Sequence, residues 1–222
     1  MHEAAPPQAP EPSATGPIGG GRRISSILEA LPRAVEGDRI SFGDLVDAFD
    51  HRAYGPLIVV FAAPNMLPVA LPGISAVLGA PLVLLTGQLM LGRPRPWLPG
   101  FLRRRSLART SFEGLVARLV PRLRRIEAWV VPRLLAVTGV LAKRVIGALG
   151  VVLALVIMLP VPFGNAIPGL ALVVMSVGLL GRDGLAVLAG GLIGVTGLVV
   201  VSGFVYGAML AGLALVRAGV GV

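Results

Sequence analysis

Two ten-residue stretches hold the residue types from which a binding site can be built. They are Pro64-Asn65-Met66-Leu67-Pro68-Val69-Ala70-Leu71-Pro72-Gly73 and Pro160-Val161-Pro162-Phe163-Gly164-Asn165-Ala166-Ile167-Pro168-Gly169, and each interrupts an uncharged apolar tract. Prolines at this density cannot continue a helix. In lipid an unpaired backbone amide or carbonyl costs several kcal/mol, so broken backbone persists there only inside protein or against a wet cavity. Pro72 and Pro168 suit the first turn of a following helix. Helices starting at Gly73 and Gly169 would aim free N–H groups and a positive dipole end inward, a setting for an anion such as phosphate. Asn65, Asn165 and Ser75 would add polar contacts. The plainer alternative is a pair of turns shaped by proline and capped by asparagine. The candidate substrate-binding set is Asn65, Pro68, Pro72, Gly73, Ser75, Arg93, Arg95, Pro160, Pro162, Asn165, Pro168 and Gly169.

The apolar tracts contain no Asp, Glu, His, Lys or Cys. A membrane enzyme needs a convergent acid, base, nucleophile or metal set, and a proton pump needs an intramembrane ionisable group. Asp44, Asp47 and Asp50 share one helix face, where they could hold a metal or pair with an arginine cluster; a solvated row near a helix start is the plain reading. His51 reads as an interfacial polar residue. With no cysteine in the chain there is no thiol chemistry or disulfide framework. No catalytic residue, metal or cofactor is assigned, and a non-enzyme is expected.

The elements that must position the two breaks follow from composition and charge. Of 222 residues, 55% are hydrophobic and 14% charged, with mean hydropathy +0.85; a soluble domain carries about a quarter charged residues. The net charge of +9 is concentrated: residues 93–144 carry thirteen of the twenty Lys and Arg and only two acids. Such a block between apolar tracts reads as a cytoplasm-facing loop rather than a nucleic-acid surface. Residues 1–21, rich in Pro, Ala and Gly, read as a disordered tail. Residues 22–53 read as interfacial amphipathic helices, Ile24 to about Val35 with its last turn disturbed by Pro32, and a second from Ser41, where Asp44 completes a capping box. Residues 54–92 and 145–181 are two broken hairpins. The 38 uncharged residues Tyr54–Leu91 would make a helix about 57 Å long against a hydrocarbon core of about 30 Å, so they fold back. Within 93–144, Trp97 is placed as an interfacial aromatic, and an amphipathic helix from Phe112 points Arg118, Arg122 and Arg125 outward. Pro121 and Pro132 should break that helix. Residues 182–222 form a glycine-rich membrane segment, either one long tilted helix or a hairpin, with Gly190/Gly194 and Gly203/Gly207 spaced for close helix packing.

Pro64, Pro72 and Gly73 lie 96 residues before Pro160, Pro168 and Gly169, and both second limbs end in Leu-Gly-Arg, so the hairpins read as an internal repeat, parallel or inverted. The fold class expected is all-α: a polytopic integral membrane protein with two proline-broken hairpins, re-entrant or full-spanning, plus interfacial amphipathic helices.

Several strings together carry a family resemblance: Phe42-Gly43-Asp44-Leu45-Val46-Asp47-Ala48, Tyr54-Gly55-Pro56-Leu57, both proline breaks, Gly92-Arg93-Pro94-Arg95-Pro96-Trp97-Leu98-Pro99, Arg133-Leu134 with Thr138-Gly139, and Gly181-Arg182-Asp183-Gly184. Over about residues 25–205 the chain resembles the ExoD exopolysaccharide-synthesis membrane protein family. The resemblance implies a multi-pass protein of the bacterial inner (cytoplasmic) membrane tied to exopolysaccharide production, with no catalytic position to carry over. In architecture alone the paired breaks are similar to those of families that translocate polyprenyl-phosphate carriers. Two functions follow as expectations: a transporter of an anionic substrate such as a polyprenyl-phosphate lipid carrier, or a non-catalytic accessory subunit of a polysaccharide-synthesis complex. The expected partners are the lipid bilayer, an anionic lipid or polyprenyl phosphate, and further copies of the chain in a homo-oligomer, with no nucleic acid.

Overall fold

The structure is a computed structural model, and it describes residues 23–49, 54–66, 74–134, 139–159 and 165–220. The first 21 residues, Asp50 and His51 lie outside the described residues, as do Pro68, Pro72, Gly73, Pro160 and Pro162.

A charged cap is built from α1 (Ile24–Ala34), β1 (Arg39–Ser41), α2 (Phe42–Ala48), α5 (Gly100–Arg103), β2 (Ser106–Ala108) and α6 (Arg109–Trp129). Pro32 sits inside α1, which runs two residues past it. The capping box forms as expected: Asp44 N–H donates to Ser41 Oγ at 3.1 Å and Ser41 N–H to Asp44 Oδ2 at 2.7 Å. Strands β1 and β2 pair antiparallel, with Ile40 opposite Leu107. Asp47 accepts from Arg103 at 2.8 Å, so of the readings open to the acidic row the pairing with arginine holds for this residue. Helix α6 lies along α1. Glu127, only 1% exposed, accepts from Ser25 N–H and Oγ–H at the start of α1, and Arg124 pairs with Glu29 at 2.7 Å.

One expectation fails within the cap. Helix α6 runs through Pro121 and ends only before Pro132. The lost backbone bond costs about 3 kcal/mol. It is offset because Phe112, Val116, Leu119, Val120 and Leu123 all bury on one face, each worth about 1.5–3 kcal/mol. Arg118, Arg122 and Arg125 are exposed, as the periodicity requires.

The apolar tracts form a bundle beside the cap: α3 (Tyr54–Ala62), continued by a 3-10 turn (Ala63–Met66), α4 (Ile74–Met90), α7 (Val140–Met158), α8 (Ala166–Leu180) and α9 (Gly184–Val220). Helices α3 and α8 are antiparallel, since Gly55 faces Ser176 and Leu180 while Gly169 faces Ala62 and Asn65. Helices α4 and α7 are antiparallel too, with Gly79 at Met158 and Gly147 at Leu89 and Met90. All nine residues of α3 are buried; Phe61 meets Phe42 of the cap edge-on, ring centroids 4.9 Å apart.

The last tract is a single helix of 37 residues, about 55 Å long, so the hairpin alternative is excluded. Its first half packs antiparallel on α8: a Cβ at Gly190 would stand 2.7 Å from Met175, and one at Gly194 3.4 Å from Ala171. Beyond Val201 the helix leaves the bundle. Among the described residues nothing lies within 4 Å of a Cβ at Gly203 or Gly207, so this second pair has no partner among them. Among the described residues, α7 and α9 are the two helices long and apolar enough to cross a membrane. The bundle's exposed large hydrophobics also concentrate on them.

The crossing of α4 and α7 is the tightest of these contacts, because a Cβ at Gly147 would overlap the Met90 backbone. Gly147→Ala is therefore expected to destabilise the protein by about 1–3 kcal/mol, read as thermal unfolding in detergent. Gly203→Ala, which meets open space, should be neutral or slightly stabilising. Equal responses from the two variants would contradict this packing.

Candidate functional site

The candidate residues within the described structure fall into two groups at opposite ends of the bundle. At one end, the flanks of the two proline breaks meet. Asn65 closes the 3-10 turn, is buried, and donates from Nδ2 to Phe61 C=O at 3.1 Å. Gly169 lies against it so closely that a Cβ would sit 3.1 Å from Asn65 Cβ and 3.2 Å from the Ala62 carbonyl oxygen. Only a residue without a side chain lets α8 approach the end of α3 in this way.

Asn165 precedes α8. Its Oδ1 is buried and accepts no hydrogen bond among the described residues. A buried acceptor left unmet costs about 1–3 kcal/mol, so such an atom calls for a donor. The side chain makes no cap hydrogen bond. Helix α8 begins at Ala166, three residues earlier than the proline spacing suggests. Pro168 thus stands within its first turn, and Gly169 N–H is already taken by Asn165 C=O at 2.9 Å. The expected free N–H at Gly169 is not there; the first-turn donors are those of Ala166 and Ile167. Ser75 lies in the first turn of α4.

Arg93 and Arg95 are at the other end. They follow α4, whose 17 residues span about 25 Å. Both are exposed. Their loop is pinned back onto the bundle. Tyr54 Oη donates to Arg95 C=O at 3.0 Å, and buried Gln88 brackets Trp97, donating to its C=O at 2.7 Å and accepting from its N–H at 2.8 Å. The structure therefore does not bring these two arginines to the asparagines. The end with the asparagines has no charged residue in its sequence neighbourhood, and the opposite end is cationic.

Sequence reasoning passed over the Asp183–Arg133 clasp. Asp183 is 0% exposed and caps α9, accepting from Leu185 and Ala186 N–H at 3.0 and 3.2 Å. It also accepts from Val131 N–H and Arg133 Nε, both at 3.1 Å, which ties the end of the cap to the start of α9. Burial alone would raise its pKa. Hydrogen bonds from Val131, Ala186 and Arg133, together with that arginine's charge, more than offset burial and hold the carboxyl below its usual value. The available signal was an Asp directly ahead of an apolar run, a helix-start pattern.

Fold and site together define a helical protein in which a salt-bridged cap covers one flank of an apolar bundle, with two helices among the described residues fit to span a membrane. The chain belongs to the family described as "Exopolysaccharide synthesis, ExoD", which matches residues 24–203. It is 30% identical over 205 residues to Protein ExoD of Rhizobium meliloti, covering 87% of this chain and 82% of that protein. It is 27% identical over 150 residues to the uncharacterized protein slr1875 of Synechocystis sp., covering 67% of this chain and 71% of that one. No solved structure matches.

The clasp makes a pH prediction. A depressed carboxyl pKa contributes stability that is complete above the unfolded value, about 3.9, and is lost as pH falls through the folded value. Asp183→Asn is expected to cost on the order of 1–3 kcal/mol at neutral pH. It should also flatten the loss of melting temperature between about pH 5 and pH 3. A variant with wild-type stability and an unchanged acid limb would show that the clasp carries no weight.

Proposed function

We propose that this protein is a multi-pass protein of the bacterial inner membrane that serves exopolysaccharide synthesis by moving an anionic lipid carrier of the polyprenyl-phosphate type. Membership of the family supports the coarse association with exopolysaccharide synthesis. The observation that carries the finer reading is the close approach of Gly169 to Asn65 at the breaks, with the buried Oδ1 of Asn165, one turn before Gly169, unmet. Broken hairpins in matching positions are the sequence pointer to a translocation path. The pairing of helices supports a parallel repeat. Exchanging the hairpins maps α3 onto α7 and α4 onto α8, so the α3–α8 contact becomes the α4–α7 contact, and both breaks are flanked at one end. Helix lengths support a mixed topology. Helices α7 and α9 reach the roughly 20 residues a crossing needs, while α3 with its 3-10 turn, and α8, stop short. The cationic end then faces the cytoplasm and receives the carrier's phosphate near Arg93 and Arg95, and the neutral Asn end gives the polar head a route without a trapping charge.

A second reading, a non-catalytic scaffold of a polysaccharide-synthesis complex, is favoured by the unpartnered half of α9 beyond Val201. Uptake of a fluorescent polyprenyl phosphate into proteoliposomes separates the two. Asn165→Leu and Asn65→Leu are expected to lower uptake at least about tenfold while the melting temperature holds. Unchanged uptake in both variants would overturn carrier movement. A stoichiometric protein partner recovered with these inert variants would instead support the scaffold.

A further inference from the structure

We propose a second lipid site, for the phosphate of an anionic phospholipid, where the end of α4 meets the start of α7. It rests on α7 facing lipid and is independent of the Asn65–Gly169 contact. The turn after α4 is closed by Gly92, whose φ of 70° is a conformation glycine adopts without strain. The Arg144 guanidinium lies on that turn, with Nε 3.3 Å and Nη2 3.4 Å from where a Cβ of Gly92 would be. Arg93 leaves the same turn, and Lys143 stands beside Arg144 in the first helical residues of α7. The α7 start is itself a positive pole: Gly139, its N-cap, offers no side-chain acceptor. Cations are disfavoured there, by the same dipole that favours anions.

Nothing among the described residues relieves this. No Asp or Glu occurs between residues 53 and 112 or between 128 and 182, and Arg93, Lys143 and Arg144 have no acidic partner among the described residues. Three like charges, a helix N-terminus and no carboxylate call for an anion from outside. The surroundings decide which kind. Leu141, Val145, Val152 and Leu155 are exposed at a spacing that lays them down one side of α7, bordered at its start by Arg144. From Leu141 to Leu155 is about 21 Å, enough to accompany an acyl chain through one leaflet of about 15 Å. Free phosphate would use the cations and leave this apolar track without a role; a phospholipid uses both.

The test is native mass spectrometry of protein released from nanodiscs of phosphatidylglycerol and phosphatidylcholine. Wild-type protein should retain phosphatidylglycerol selectively. Lys143→Gln/Arg144→Gln should lower that retention on the order of tenfold, and Lys143→Gln alone, an exposed unpaired site, by a smaller factor that does not depend on Arg144 for folding. Arg118→Gln/Arg122→Gln, which removes two exposed cations from the cap, should stay within about twofold, and Asn165→Leu should retain the lipid fully. An equal loss in the cap variant would show diffuse attraction and overturn the site. Displacement of the lipid by millimolar inorganic phosphate, or a dimer that excludes lipid from α7, would overturn it as well.

Discussion

A helix with no polar side must be covered in every direction, and α3 is such a helix. Its nine residues cannot meet water, so α4 and α8 close two sides and the cap closes the third through Phe42. The cap can do this only because its own charges are turned outward or paired: Glu127 on the α1 start, Glu29 with Arg124, Asp47 with Arg103. The consequence is a sided molecule. One flank of the bundle carries a hydrated, arginine-rich surface, and the α7–α9 flank is bare aliphatic surface. Exposed apolar area of this extent marks a membrane or partner surface.

The two ends of the bundle divide the chemistry. Cations collect where α4, α7 and α8 meet their loops, because the sequence places Arg93 and Arg95 just after α4, Lys143 and Arg144 in the first residues of α7, and Arg182 just after α8. The opposite end offers amides. A neutral amide binds a phosphate ester less tightly than an arginine does, since charge-assisted hydrogen bonds are the stronger ones. For a site through which a ligand passes, weaker binding favours release. At the cationic end, beside Arg182, the Asp183 clasp fixes where α9 starts, and therefore which glycines of α9 face α8.

Much of the organisation was legible in the sequence because it rests on local rules. The capping box at Ser41, the apolar stripes of α1 and α6 and the non-helical Gly-Arg-Pro-Arg-Pro-Trp segment all follow from residue type and period. What escaped depends on distant partners. Pro121 stays inside α6 because α1 packs on the apolar face, which no window of α6 reveals. Arg93 and Arg95 read as companions of Asn65 because they follow the same hairpin, yet a 17-residue helix carries them to its far end. The start of α8 moved to Ala166 because Asn165 C=O can accept from Gly169 N–H across the proline. Asp183 looked like part of a short polar turn until Arg133, 50 residues away, came beside it.

Parallel hairpins with their breaks flanked at one end are the claim on which the functional reading turns, and the absence of native cysteine makes them open to cross-linking. A Cβ at Gly79 would lie 3.6 Å from Met158 Cβ, within the roughly 3.5–4.5 Å of a disulfide. Gly79→Cys/Met158→Cys should therefore cross-link on mild oxidation in native membranes, and Gly79→Cys/Val145→Cys, which pairs the start of α4 with the start of α7, should not. Cross-linking of the second pair and not the first would place the hairpins in opposite senses and separate the two asparagines.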